Sequence, residues 1–175
     1  MRTVVLRVVA LALLLLLALA GVLTYRTLQR LPDTILYFVR DRGANFTLEG
    51  VPRRLGGSDL QARVERQVAA LAKGPEPDEG SRGLSSSVPA DTTALNAWLV
   101  DGVLTVDLSP AFERGGGSSG MMGRLHQLYY TLSQPADVDA VVISVGGSVV
   151  DVFGGEGIML EVPWSRDRHP GLPVW

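Results

Sequence analysis

Residues that could perform chemistry are few and scattered in this chain. His126 lies at the edge of the apolar face of a predicted helix, and His169 lies near the last residue. A histidine that acts as a base needs a nucleophile and an orienting partner within hydrogen-bonding reach. Neither histidine has such partners in its local sequence, and two histidines alone do not make a metal site. We therefore interpret His126 as a partly exposed structural residue and His169 as a solvated one.

The other polar clusters are typical of loops and turns. Serines at 85–87 and 118–119 occupy loop and cap positions, and Asp137 and Asp139 flank the start of a predicted strand. The glycines at 115–117 resemble a phosphate-binding loop in composition but lack the lysine of that motif, and no H-E-x-x-H zinc-protease signature occurs. The sequence thus predicts no catalytic, cofactor-binding or metal-binding residue and no enzyme, and it leaves the partner-binding residues undefined.

Composition excludes further classes of site. The chain has no cysteine, which rules out disulfides, a thiolate nucleophile and a lipid-modified anchor. Without Arg2 and Arg7, 14 of the 16 basic residues remain against 18 acidic ones, a net charge of −4. A domain of that balance has no overall attraction to nucleic acid or anionic lipid, so neither is an expected partner.

Residues 1–30 predict a membrane anchor or a signal peptide. The segment from Val8 to Leu23 has no charged or strongly polar residue, and Arg2 and Arg7 precede it. With its flanking residues it approaches the length needed for roughly 30 Å of hydrocarbon. Cleavage after Ala20, where small residues alternate, is the other open interpretation. Both interpretations place the remaining domain outside the cytoplasm, either as a single-pass membrane protein or as a secreted or periplasmic one.

Residues 31–165 predict one α+β domain, and residues 166–175 a flexible tail. Ser58 and Gln61 have the spacing of a capping box, and the helix that follows ends at Gly74-Pro75. A second amphipathic helix ends before Pro135, because proline disfavours helical geometry in the residue that precedes it. Residues 76–87 predict a polar loop between the two helices.

The strands are predicted from β-branched runs and turn signals. Thr34–Arg40 is apolar on both faces, and a less regular strand follows at Asn45–Pro52. Asp101-Gly102 and Gly146-Gly147 predict two hairpins, because both pairs favour the positive φ of two-residue turns. A short edge strand is predicted at Met159–Val162.

Together these elements predict a two-layer sandwich, with both helices on one face of a mixed or antiparallel sheet and the other face partly wet. The residues expected in the core are Leu60, Val64, Val68, Val106, Leu125, Leu128, Leu132, Val141 and Ile143. The residues expected on the wet face are Thr105, Asp107, Ser144 and Asp151. Trp98, Trp164 and Trp175 are left over, and we expect Trp98 to pack beneath a loop rather than to form an exposed contact patch.

The succession of these segments resembles the GerMN domain of bacterial sporulation and spore-germination proteins. The stretches that carry the resemblance are Leu71–Pro75, Ser86–Thr92, Asp101–Ser109, Tyr129–Gln134 and Val138–Gly147, and it extends over roughly Thr34 to Trp164. The resemblance implies a small extracytoplasmic α+β module that is commonly tethered to the membrane and is not known as an enzyme. This chain has one copy where the spore proteins have two, and it lacks their lipoprotein cysteine.

Three functions of different classes remain open at this point. The first is a membrane-tethered interaction module that binds an envelope protein or itself, with no small-molecule substrate. The second is a domain that binds cell-wall glycan or peptide, which usually presents several exposed aromatic residues. The third is an unrecognised secreted hydrolase. The resemblance and the scarcity of catalytic groups favour the first.

Overall fold

The computed structural model describes residues 2–28, 31–153 and 157–175, and the chain divides into two compact units, residues 1–32 and 33–175. The first unit is formed by helix α1 (Arg2–Leu28). Its described leucines between residues 13 and 23 are each more than half exposed. No helix within the described residues is both long and apolar enough to cross a membrane.

The second unit contains two longer helices, one short helix and ten strands among its described residues. In chain order these are β1 (Thr34–Asp41), β2 (Phe46–Arg53), α2 (Leu60–Lys73), α3 (Pro77–Ser81), β3 (Leu84–Ser85), β4 (Ala94–Val100), β5 (Val103–Leu108), α4 (Gly117–Leu132), β6 (Ala140–Val145), β7 (Ser148–Val149), β8 (Val152–Phe153), β9 (Ile158–Met159) and β10 (Trp164–Ser165). Short 3-10 helices follow β5 at Pro110–Glu113 and β10 at Arg166–Arg168.

Hydrogen bonding divides the strands into three sheets. The small sheet has the order β2-β1-β3, and the larger one has the order β10-β6-β5-β4 with β7 paired to β6. A two-stranded ribbon of β8 and β9 completes the set. In the larger sheet β5 and β6 are parallel while the other neighbours are antiparallel, as the predicted mixed sheet requires.

The apolar core lies between the helices α2 and α4 and the sheets. One face of the larger sheet carries buried residues from β5 and β6, namely Leu104, Val106, Leu108, Val141 and Ile143. The helices supply Val64, Val68, Leu71, Leu125, Leu128 and Leu132, which are also buried. The α+β sandwich predicted from the sequence is therefore confirmed; among the residues expected in the core, only Leu60 is half-buried.

Two local predictions between β2 and β4 are wrong. Helix α2 is capped by Asp59, whose carboxylate accepts from the Ala62 N–H at 2.8 Å, while Ser58 only donates to Asp59. Asp59 lies one residue nearer the helix and brings a charge that the positive end of the helix favours. The predicted polar loop contains the short helix α3, where Glu76 and Glu79 form the capping box.

Both predicted turns are present. Asp101 and Gly102 have φ of 48° and 76° and join β4 to β5, and Gly146 and Gly147 have φ of 57° and 85° and join β6 to β7. Helix α4 ends at Leu132, three residues before the proline that was expected to stop it.

The segment after β8 differs from its prediction. The edge strand expected at Met159–Val162 is instead β9, which pairs with β8, and β10 then pairs with β6. The last residues, expected to form a flexible tail, make defined contacts. Val174 pairs with Thr47 on the free edge of β2, and Trp175 exchanges two backbone hydrogen bonds with Phe46.

Candidate functional site

His126 occupies a structural position on α4. Its ring is half-buried and lies against the indole of Trp175, with ring centroids 5.0 Å apart. Burial, together with the nearby charge of His169, lowers the pKa of His126 to about 4. The side chain is thus neutral at physiological pH, and its Nδ1 makes no hydrogen bond to any described residue. This arrangement agrees with the structural role expected from the sequence.

His169 is not simply solvated, contrary to the prediction. Its ring stacks on Trp164 with centroids 5.3 Å apart and planes 3° from parallel. Trp164 also stacks on Tyr129, with ring centroids 4.8 Å apart. Nε2 of His169 lies 2.7 Å from a carboxylate oxygen of Glu161. The stack fixes β10 and the C-terminal segment against α4, because buried aromatic pairs of this geometry are stabilising.

Both histidines line one cleft of about 290 Å³, together with Tyr130, Trp164 and Arg168. Trp164 is only 4% exposed and stacks on both Tyr129 and His169, so the cleft has no free indole on which a sugar could stack. The Tyr130 hydroxyl donates to the Gly171 carbonyl. Within the described part of the chain, no three metal-ligating side chains come together. The polar groups of the cleft mostly serve to hold the C-terminal segment in place.

The glycines at 115–117 surround a buried cation rather than a phosphate. Arg124 is 2% exposed and donates to the carbonyls of Phe112 at 2.5 Å and Gly115 at 2.7 Å. Gly116, with φ of 102°, precedes α4. An anion would meet carbonyl oxygens here, so the compositional likeness to a phosphate loop has no functional counterpart.

The remaining candidate side chains also have structural positions or lie in solvent. Ser86 contacts the amide of Gln127, and the Ser87 N–H donates to the same amide at 2.7 Å. The Ser119 carbonyl accepts from the Trp175 indole. Asp137 and Asp139 are exposed beside the start of β6, and the structure does not bring them together with either histidine in a cleft.

An exposed surface that includes Trp98 lies on the side of the larger sheet opposite the helices α2 and α4. We call this the outer face. Trp98 is opposite Thr105 on β5, and Thr105 is opposite Val142 on β6, so the three side chains lie in one row. Trp98 is 43% exposed and Val100 59% exposed on the same face. The expectation that Trp98 packs beneath a loop is therefore wrong, and the alternative of an exposed patch on the open sheet face is the one that the structure has.

One end of the outer face is tied to the turn between β6 and β7. Asp107 accepts from the Ser144 hydroxyl at 3.0 Å and from the Gly147 N–H at 2.8 Å. Ser144 is 2% exposed, although it was expected on a wet face. Asp107 is thus committed to the turn, and the open part of the outer face consists of Asn96, Trp98, Val100, Val103, Thr105 and Val142.

Comparison with known proteins gives a consistent family. A family model described as "Germane: Sporulation and spore germination" matches residues 35–151. The tandem GerMN domains of the sporulation protein GerM from Bacillus subtilis share 21% identity and a TM-score of 0.60, over 75% of this chain and 43% of that chain. The first GerMN domain of that protein gives 20% identity and a TM-score of 0.60, over 77% of this chain and 97% of that chain.

No curated protein sequence gives a significant match. This chain spans less than half the length of the tandem GerM structure, and at these identities the structural likeness shows the fold alone. The family model, however, covers more than half of the chain. The chain therefore belongs to the GerMN family of sporulation and spore-germination domains.

Proposed function

We propose that this chain is a membrane-tethered extracytoplasmic module that performs no catalysis and binds an envelope protein through the outer face. The observation that carries the proposal is the row of Trp98, Thr105 and Val142 on a sheet face that neither α2 nor α4 covers. A large aromatic side chain beside small polar and β-branched ones is a common composition for a protein-binding surface.

The positions of the histidines support the absence of chemistry. A general base near neutral pH needs a pKa close to 7, whereas burial holds the pKa of His126 near 4. His169 is fixed between Trp164 and Glu161, so it has no free geometry with which to orient a nucleophile. The GerMN family is not a known enzyme family, which agrees with this proposal.

Helix α1 supports the tether. Leu13 to Leu17 on this helix are 56% to 68% exposed. Apolar side chains of this kind are stable in a bilayer and costly in water. A tether confines the domain to the membrane surface and raises its effective concentration near a resident partner, so a small interface is sufficient. Cleavage after Ala20 is the alternative, and it would release the same domain outside the cytoplasm.

Binding of cell-wall glycan is the second candidate, and the exposure of Trp98 favours it. Carbohydrate surfaces usually present several aromatic faces, but Trp98 is the one aromatic side chain among the described residues of the outer face. Co-sedimentation of the protein with purified peptidoglycan separates the two candidates. Retention that depends on Trp98 would favour the glycan.

The experiment that tests the proposal is recovery of partners by a tagged full-length chain from cross-linked envelopes. Thr105→Lys combined with Val142→Lys places two charges in the middle of the outer face and should abolish recovery of a specific partner. Met159→Lys is the matched control, because Met159 is 78% exposed on a different surface. Asp107 is left intact because its replacement would disturb the β6–β7 turn.

Two results would contradict the proposal. One is retention of the partner by the double variant at the level of the Met159→Lys control. The other is loss of the in-cell phenotype from His126→Phe in protein that is folded and exported, which would indicate an active site in the histidine cleft.

A further inference from the structure

The outer edge of β4 is an uncovered strand edge. The larger sheet ends at β4, and no described residue pairs with that side of it. The free edge of β2 in the small sheet is covered in part, because Val174 pairs there with Thr47. Natural proteins normally protect such edges, because the free N–H and C=O groups of an edge strand can pair with another chain.

Strand β4 also lacks the usual protection of an edge. Its sequence, ALNAWLV, contains no charged residue and no proline. Leu95, Trp98 and Val100 are 51%, 43% and 59% exposed. A bulge between Ala94 and Asn96 disturbs the start of the strand, but the part from Ala97 onward pairs regularly with β5. An uncharged, regular and apolar edge of this kind is suited to pairing.

The hairpin fixes which backbone groups point outward. In a two-residue hairpin the residues that flank the turn, Val100 and Val103, exchange hydrogen bonds, and bonded pairs then recur at every second residue. Trp98 is therefore bonded to β5, whereas Ala97 and Leu99 direct their N–H and C=O groups to the edge. The Ala97 N–H accordingly finds a local acceptor, the Asn96 side-chain oxygen at 3.0 Å, in place of a strand.

We infer that β4 pairs antiparallel with β4 of a second copy of this chain, around a two-fold axis at Trp98. In this register Ala97 lies opposite Leu99 of the second copy and exchanges two hydrogen bonds with it, and the axis repeats the pair, which gives four bonds in total. Trp98 lies directly opposite its own copy at a non-bonded position, where side chains approach most closely. The two indoles would then extend the outer face across the axis.

A second copy fits this edge better than an unrelated peptide for two reasons. The outward-directed residues Ala97 and Leu99 are symmetric about Trp98, so the strand is complementary to itself. Because β4 has no charge, pairing it with itself places no like charges opposite each other. The pairing buries less than the roughly 1,200 Å² of a standard interface, so the dimer is weak in dilute solution. The fraction of the chain that is dimeric in the cell depends on the tether of the proposed function, whereas the pairing geometry itself does not.

Single cysteines test the register, since the chain has no cysteine of its own. In the full-length protein, reconstituted in lipid vesicles, Trp98→Cys should form an intermolecular disulfide under mild oxidation. Opposed Cβ atoms at a non-bonded pair are about 4.5–5.5 Å apart, close to the span of a disulfide. Thr105→Cys is the matched control on the same face, one strand farther from the axis on each copy, and should cross-link at least about tenfold less.

A charge at the axis gives an independent measurement. Trp98→Lys places two like charges directly opposite each other and should lower the dimer fraction, measured by chemical cross-linking in vesicles, at least about tenfold. Thr105→Lys should leave it within about twofold. Trp98 is exposed and Thr105 half-buried in the monomer, and unchanged thermal unfolding would confirm that the variants fold.

The outcomes separate this inference from the proposed function. Equal cross-linking of Trp98→Cys and Thr105→Cys, or a Trp98→Lys dimer fraction equal to that of the wild type, would overturn self-pairing and leave partner recovery through the outer face intact. A disulfide that joins the Trp98→Cys variant to a protein of another mass would overturn self-pairing too, and would assign the edge to a different chain. If Thr105→Lys still pairs with itself while neither the wild-type chain nor any variant recovers an envelope partner, the proposed function fails and the inference stands.

Discussion

Gln134 and Ile35 exchange two hydrogen bonds across 99 residues of sequence. The Ile35 N–H donates to Oε1 of Gln134 at 2.8 Å, and Nε2 of Gln134 donates to the Ile35 carbonyl at 2.6 Å. A primary amide offers the same donor and acceptor as a peptide unit. The side chain of Gln134 therefore substitutes for a neighbouring strand at the start of β1.

Helix α4 continues this substitution along β1. Nε2 of Gln127 donates to the Tyr37 carbonyl at 3.0 Å, and the Tyr37 N–H donates to the Thr131 hydroxyl at 3.2 Å. Residues 127 and 131 are four apart on one face of α4, and Gln134 follows two residues after the end of the helix. Because β3 pairs only with Val39 and Arg40, α4 satisfies the part of the β1 edge that β3 does not reach.

Replacing Gln127 should be strongly destabilising. Gln127 is fully buried and also accepts from the Ser87 N–H at 2.7 Å. Gln127→Met keeps the volume but leaves the Tyr37 carbonyl and the Ser87 N–H unpaired, which should cost about 2–4 kcal/mol. The measurement is denaturant unfolding of the full chain in mild detergent, followed by tryptophan fluorescence, because all three tryptophans lie in residues 33–175. The control is Gln61→Met, which removes an exposed contact with Glu65 and should cost less than about 0.5 kcal/mol.

His126 should make stability depend on pH between about 4 and 6.5. Burial lowers its pKa from 6.5 to about 4 in the folded state, so in this window the unfolded chain binds more protons than the folded one. The free energy of unfolding therefore rises with pH across the window, by at most about 1.4 kcal/mol per pH unit, and the contribution of His126 is constant above it. His126→Phe keeps an aromatic ring beside Trp175 and should remove this part of the slope.

The difference between wild type and His126→Phe is the quantity to measure, by unfolding at pH 4, 5, 6 and 7.5. Carboxylates such as Glu49 and Glu79, whose pKa values are lowered by hydrogen bonds from Arg40 and Arg53, also lose stability in acid but contribute equally to both proteins. Parallel curves for the two proteins would show that the histidine is not protonated on unfolding.

The two tryptophans of the larger sheet should differ sharply in their contribution to stability. Trp164 is 4% exposed and stacks on Tyr129 and His169, so Trp164→Ala should cost about 3–5 kcal/mol. Trp98 is 43% exposed, so Trp98→Ala should cost less than about 1 kcal/mol. Thermal unfolding of both variants, with quenching of the native fluorescence by acrylamide, checks the assignment. A cost for Trp98→Ala close to that of Trp164→Ala would mean that the outer face is covered.

Asp107 and Thr105 provide a matched pair on β5. Asp107→Ala removes the acceptor of the Ser144 hydroxyl and the Gly147 N–H and should cost about 1–2 kcal/mol. Thr105→Ala, two residues away on the same face, removes no hydrogen bond between described side chains and should cost about 0.5 kcal/mol. Hydrogen exchange at Gly147 gives a local measurement, since its amide should exchange faster in Asp107→Ala alone.

Much of this fold could be predicted because its signals are local. The apolar spacing of α2 and the turn residues Asp101 and Gly146 act over a few positions, and the structure reproduces them. The contact of Gln134 with Ile35 could not be predicted, because a glutamine just beyond a helix end has no sequence pattern that specifies a backbone partner 99 residues away. The exposure of Trp98 was missed for a related reason: alternation indicates two faces of a strand, but only tertiary packing decides which one the helices cover.

The pairing of Val174 and Trp175 with β2 has a mechanical consequence. β1 starts at Thr34, opposite Arg53, whereas Trp175 lies beside Phe46 at the other end of the same hairpin. Tension between the two ends of this unit would act along the strands. The hydrogen bonds within each strand pairing would therefore be strained together in shear. The short pairing of Val174 with Thr47 would yield before the eight-residue pairing of β1 with β2. A pull on the domain would therefore release the C-terminal segment first and uncover His126 while β1 and β2 stay paired.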